Sequence, residues 1–303
     1  MARDINLIEN DIEKLQQQVQ EISDRLETAY KNYTEILGET LKQQLIFSVY
    51  QICTQEYPQG FLSLSLSQQQ ELQQNIRKLG KTATENLKLG GDLLQMMHLE
   101  EDSDHDEDEL EEESSSPNIF SEQWETFSEG KVIKQAASHE EQETSQNQEL
   151  NPDNLMAWSN LQEEAIAMIL ATVSSQANTL LQNMGILPQE LPQEMIEAAL
   201  QTEDAGSISN RAPGVLHLML EVERKNKDQQ SRKNNNNEVM QLAVVRLRVG
   251  ELEFAAPSLN TKRREIRTIQ QQLQKVQEQY NRLTNERAIA QAELAWRSSW
   301  HED

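Results

Sequence analysis

Residues 5–36 read INLIENDIEKLQQQVQEISDRLETAYKNYTEI, and one stripe within that segment decides the fold class. Ile5, Ile8, Ile12, Leu15, Val19, Ile22, Leu26, Ala29, Tyr33 and Ile36 follow one another at alternating steps of 3 and 4 residues. A helix with that spacing presents one narrow apolar seam, which it must bury against another helix. Glu9, Asp11, Gln16, Gln18, Ser23, Arg25 and Asn32 lie between the seam positions and are at home in water. So narrow a seam is expected of a coiled coil, because helices of ordinary globular bundles use a wider apolar face. The β-branched Ile5, Ile12 and Val19 suit a parallel dimer, but the opposite core position is mixed. The seam can therefore meet a second copy or another helix of the same chain.

The same pattern returns near the other end. Ile266, Ile269, Leu273, Val276, Tyr280 and Leu283 alternate by 3 and 4, Arg287 breaks the seam, and Ala290 and Leu294 resume it. Gln270, Gln272, Gln277 and Gln279 flank it, so no charge pairing selects a partner. Trp296 and Trp300 stand four apart, on one helical face, as a candidate docking handle.

Between these ends, residues 37–98 suggest a small helical head. Leu37, Leu41, Leu45, Ile46, Val49, Ile52 and Cys53 form a denser apolar pattern, and nothing from Gln43 to Gln55 is charged, which reads as a core helix stopped at Tyr57-Pro58-Gln59-Gly60. Phe61 to Leu66 alternates like a strand but has no second strand nearby, so it is expected to be an extended connector that inserts its leucines into the core. Ser67 would cap the next helix and Gly80 would end it. Asn151-Pro152-Asp153 marks another helix start, and Gly185 its end. Val215–Val222 and Val239–Phe254 are ambiguous. Leu216, Leu218, Leu220 and Val222 alternate as in a strand, while Leu242, Val245, Val249, Leu252 and Ala256 keep helical spacing. Helices are the favoured reading, with a β-hairpin as the alternative. Pro257 should break the chain before the last helix.

Composition agrees with long helices and few turns. The 303 residues include ten Gly and seven Pro, where average usage gives about 21 and about 15. The net charge of −24 is concentrated. Residues 99–151 carry 18 acidic and 2 basic groups, whereas residues 1–98 and 152–303 stand at −4 each. The run from Glu100 to Glu113 repels itself and is expected to be a disordered linker, together with the polar sequence to residue 150. Phe120, Trp124 and Phe127 form an aromatic islet inside it, a candidate partner-docking motif. The expected fold class is all-α and elongated, with coiled-coil helices at both ends, small helical bundles between them and an acidic disordered linker. The expected segments are an N-terminal coiled coil (1–36), a helical head (37–98), the linker (99–150), a mainly helical second domain (151–257) and a C-terminal coiled-coil helix (258–303).

Chemistry is sparse. His98, His105, His139, His217 and His301 are scattered, and Gly90-Gly91 lacks the Lys-Ser or Lys-Thr of a phosphate loop. Asp102, Asp104, Asp106, Asp108 and Glu113 fit a calcium-loop frame, but Glu107 stands where the turn needs glycine, and so acidic a run matches readily by composition. No catalytic residue, cofactor or metal is expected. Cys53 is the single cysteine and lies in an apolar stretch, as inert packing thiols do. Residues 224–267 hold 11 basic and 5 acidic groups, with Lys262, Arg263, Arg264 and Arg267 clustered as a patch for an acidic partner or as a solvated face. Duplex nucleic acid is a poor partner for so acidic a chain. The polar N-terminus has no apolar signal core, and the 25 uncharged residues from Ala165 to Gln189 are too polar to span a bilayer, so a cytoplasmic location is expected. These features point to a non-enzymatic scaffold or adaptor that binds proteins and associates through its coils. The alternative is an acidic, chaperone-like assembly factor that shields a client.

Overall fold

The computed structural model describes residues 4–90, 151–188, 213–222 and 238–299. The acidic tract, the islet Phe120–Trp124–Phe127, the repeated Leu-Pro-Gln-Glu segment beyond Pro188 and Trp300 lie outside the described residues. The described elements are α1 (Ile5–Gln51), a π-helical turn (Ile52–Glu56), α2 (Pro58–Leu62), α3 (Leu66–Leu89), α4 (Pro152–Asn183), β1 (Val215–Val222), β2 (Glu238–Val245), α5 (Val249–Ala255) and α6 (Pro257–Ser299). The fold is all-α, with one two-stranded sheet as its only β-structure among the described residues.

The described residues form two compact units, to both of which α1, α4 and α6 contribute. In the first unit, Ile8, Ile12 and Ala290 make a buried cluster on which Ile5, Tyr280 and Leu283 pack. The start of the α1 seam is thus covered by α6 of the same chain. Beside it, the Gln277 amide donates to Asp153 in the first turn of α4.

The second unit shows how the long helices run. Tyr33 meets Arg263, and Tyr30 meets Gln270, so α1 and α6 are antiparallel there. Glu163 meets Arg263 and Ser159 meets Gln270, so α4 is antiparallel to α6 as well. Leu26, Leu37, Leu41, Leu45 and Ile266 are fully buried in this unit.

Helix ends follow local rules with three departures from expectation. Asn151 accepts the Asp153 amide at 3.1 Å and starts α4, and Gly185 follows its end at a φ of +72° that a side chain would resist. Pro257 opens α6 as its first residue. The expected extended connector is instead the short α2 and a turn, and Ser65, not Ser67, caps α3 through a capping box with Gln68. Only Leu64 of its leucines is buried, while Leu62 and Leu66 face solvent. Gly80 does not end α3, which runs on to Leu89. It serves instead as a flat spot where α3 crosses α1, since a Cβ there would stand 3.2 Å from Lys42 Cγ.

A second close approach lies one turn away. A Cβ on Gly38 would stand 2.5 Å from Thr84 Cγ2, and the Thr84 hydroxyl donates to the Gly38 carbonyl at 3.1 Å. The two glycines let the backbones of α1 and α3 meet.

The uncharged stretch of α1 is only half a core helix. Leu45, Val49, Ile52 and Cys53 are buried, but Ile46, Phe47 and Tyr50 are exposed on its other side.

The favoured helical reading of Val215–Val222 and of the start of Val239–Phe254 is corrected by the hairpin. β1 pairs antiparallel with β2, from Val215 opposite Val245 to Val222 opposite Glu238. The helical spacing was partly real, since Val249 and Leu252 do lie in α5. Strict alternation and paired valines win before that point because Leu216, Leu218, Leu242 and Val244 share one buried face.

Gly38→Ala should destabilise the chain. The helix-propensity gain of about 1 kcal/mol is outweighed by overpacking, which costs about 1–3 kcal/mol. Denaturant titration should show the loss, and Thr84→Ser in the same chain, which removes Cγ2, should restore most of it.

Candidate functional site

Among the described residues, a connected polar cluster lies in the second unit, where α1, α4, α5 and α6 converge on Arg263. Its side chain is 8% exposed, an expensive position for a charge unless partners surround it. Nε donates to Glu253 Oε1 at 2.5 Å, Nη1 to Glu163, and Nη2 to the Tyr33 hydroxyl at 2.9 Å. The guanidinium also stacks on the Tyr33 ring, 4.4 Å from its centroid.

A second layer holds the first. The Tyr33 hydroxyl donates to Glu253 Oε1 at 2.8 Å, and the Tyr30 hydroxyl to Glu163 Oε1 at 2.7 Å. Ser159 Oγ stands 3.1 Å from the Tyr30 hydroxyl, and the Gln270 amide donates to both, at 2.9 and 3.2 Å. Two carboxylates thus face one guanidinium, and each carboxylate also accepts from a phenol.

Electrostatics keep the phenols neutral. Burial raises the Tyr30 and Tyr33 hydroxyls well above the ordinary phenol range; Glu163 pushes Tyr30 further, while at Tyr33 the Arg263 charge opposes the rise and Glu253 adds to it. Burial by itself would lower Arg263, but Tyr33 and the two carboxylates outweigh it and hold the guanidinium charged. All three guanidinium nitrogens and both phenols donate to a neighbour within the cluster, so the arrangement clamps helices together.

Elsewhere, the Cys53 thiol is buried and pushed up to about 12 by that burial, which leaves it protonated and unreactive at neutral pH. His217 Nε2 lies 3.1 Å from Glu56 Oε1 but off the line of a hydrogen bond, so the two are close without a directed bond. Among the described residues, no group of three or more His, Cys, Asp or Glu could hold a metal ion. No helix among them is long and apolar enough to cross a membrane.

The seam residues are placed as follows. Ile8, Ile12, Leu15, Val19, Ile22, Leu26, Ile266, Ile269, Leu273 and Val276 are buried within the chain. Ile5, Ile36, Tyr280 and Leu283 are half-buried. Leu294 and Trp296 are exposed near the end of α6. The basic cluster divides: Arg264 and Arg267 face solvent, but Arg263 turns into the core.

Glu163, Glu253, Tyr30 and Gln270 carry no sequence signal that singles them out. A weak one existed for Arg263, since it lies one residue off the exposed pair and three before the seam residue Ile266. No protein-family model, curated protein or solved structure matches the chain.

Two outcomes test the cluster. Arg263→Met leaves Glu253 without its counter-charge and should cost about 3–5 kcal/mol; adding Glu253→Gln should cost less than the sum of the separate changes, as measured by denaturant unfolding of the four-member cycle. The phenols set an alkaline limit. Their folded-state pKa values lie above the unfolded value of about 10, so their contribution is complete below that pH and declines as pH rises past it. The decline is about 1.4 kcal/mol per pH unit for each phenol. Phenolate absorbance from Tyr30 and Tyr33 should therefore appear only together with loss of helical circular dichroism. Ionisation in a still-folded chain would contradict the clamp.

Proposed function

We propose that the chain is a non-enzymatic scaffold or adaptor of the cytoplasm, whose helices give it a fixed shape and whose surface holds other proteins. One observation carries this reading: among the described residues, the buried cluster of ionisable groups around Arg263 is consumed in holding α1, α4, α5 and α6 together. Its groups donate and accept among themselves, which is what a structural clamp requires and a catalytic pair does not. The seams, whose pairing is of coiled-coil type in this reading, are likewise turned to packing inside the chain. Binding is then left to the surface, where Trp296 near the end of α6 offers a large indole to solvent. With Trp300 and the islet Phe120, Trp124 and Phe127, it is the candidate docking set.

A second reading, a client-shielding assembly factor, draws on the exposed Ile46, Phe47 and Tyr50 together with the acidic run from Glu100 to Glu113. Apolar contact and negative charge would then cover a basic, partly apolar client.

The test is recovery of the tagged full chain from its source cells after mild cross-linking. A protein should co-purify in fixed stoichiometry and be lost with Trp296→Ala/Trp300→Ala or Phe120→Ala/Trp124→Ala/Phe127→Ala, at unchanged melting temperature. Absence of any stoichiometric protein overturns the scaffold reading. Loss only on replacing Ile46, Phe47 and Tyr50 by Ser favours client shielding.

A further inference from the structure

The two edges of the hairpin are treated differently. Arg246 N–H donates to the Gly214 carbonyl at 3.0 Å, which continues the register of Val215 with Val245. The alternation of an antiparallel ladder then turns the amides and carbonyls of Val215, His217, Met219 and Glu221 away from β2. At the α4 end of the other side, the matching outward amides of Ala243, Val245 and Leu247 and the Val245 carbonyl are held by side chains. Ala243 N–H donates to the Tyr57 hydroxyl at 3.0 Å, Leu247 N–H to Ser174 Oγ at 2.9 Å, and the Asn178 amide exchanges bonds of 2.8 and 2.9 Å with Val245. Asn178 thereby imitates the next strand.

Among the described residues, nothing bonds the outward groups of β1. It also carries few of the usual guards of an unpaired edge. Its eight residues pair one to one without a bulge, none is Pro, Lys or Arg, and the one acidic residue, Glu221, stands next to its end.

We propose that β1 pairs antiparallel with β1 of a second copy, so that two hairpins form one four-stranded sheet across a two-fold axis. The sequence VLHLMLEV fits itself in this way. With Leu218 on the axis, His217 faces Met219 and Val215 faces Glu221 of the other copy, each pair exchanging two backbone hydrogen bonds. These are the residues whose groups point outward. Leu216 faces Leu220, and no like charges oppose one another. An isologous contact of this kind needs only one surface, present on both copies. A foreign strand would have to supply the same match. The net charge of −24 opposes approach of two copies, so added salt should tighten the dimer.

This goes beyond the scaffold reading, which holds equally for a monomer. The test is sedimentation equilibrium of the full chain over a range of concentration, at low and high salt. The expected result is a monomer–dimer equilibrium tightened by salt. Met219→Pro removes one outward amide without touching a β1–β2 bond, and should weaken the dimer about ten-fold or more at unchanged circular dichroism and melting temperature. If proline disturbs the hairpin, Met219→Lys, which keeps the amide and adds an edge charge, should weaken the dimer likewise. A chain that stays monomeric throughout, or a dimer that neither folded variant weakens, overturns edge pairing; partner recovery would be unaffected by that failure.

Discussion

A guanidinium buried among helices is the constraint to which the second unit is built. An isolated charge in such a place is prohibitively costly, so Arg263 stays only because Glu163 and Glu253 come to it from α4 and α5 and Tyr33 comes from α1. Each of those groups must arrive at one point. That requirement sets the rotation and height of four helices against one another far more narrowly than leucine contacts do, since apolar packing is non-directional. Removing the whole cluster for apolar residues of similar volume need not weaken the fold. Its physical role is the choice of one alignment among the several that narrow seams permit.

The hairpin rests on that alignment in turn. Two strands alone are marginal in water. β2 is fixed because Ser174 and Asn178 are two neighbouring positions on one face of α4, spaced four residues apart, and offer their polar groups at the interval of an outward-facing strand edge. Tyr57, just past the π-helical turn, supplies the third contact. Polar residues on an otherwise apolar helix, which look like interruptions of a core face, are in fact the partners that make the sheet possible.

Close approach of α1 and α3 shows the same economy. Gly38 and Gly80 carry no side chain at the crossing, and Thr84 uses the space to bond the Gly38 and Gly80 carbonyls at 3.1 and 2.9 Å. The crossing therefore holds a directed polar contact where two larger residues would have held the helices apart.

Residue order alone determined that the chain is helical, where the long seams lie, and that Asn151-Pro152 and Pro257 begin helices. These follow from period, capping and the fixed φ of proline, all of which act within a few residues. Burial of Ile8, Ile12, Leu26, Ile266 and Leu273 was legible for the same reason. What covers the seams was not, because neutral glutamine flanks admit several partners; tertiary structure answers with α1 against α6 of the same chain. It also decided that Val215–Val222 is a strand, since it pairs with β2, which Ser174, Asn178 and Tyr57, distant in sequence, hold in place. The Arg263 cluster belongs to the same class. A basic run is read by default as solvated, and only the meeting of Glu163, Glu253 and Tyr33 makes burial of one of its members favourable.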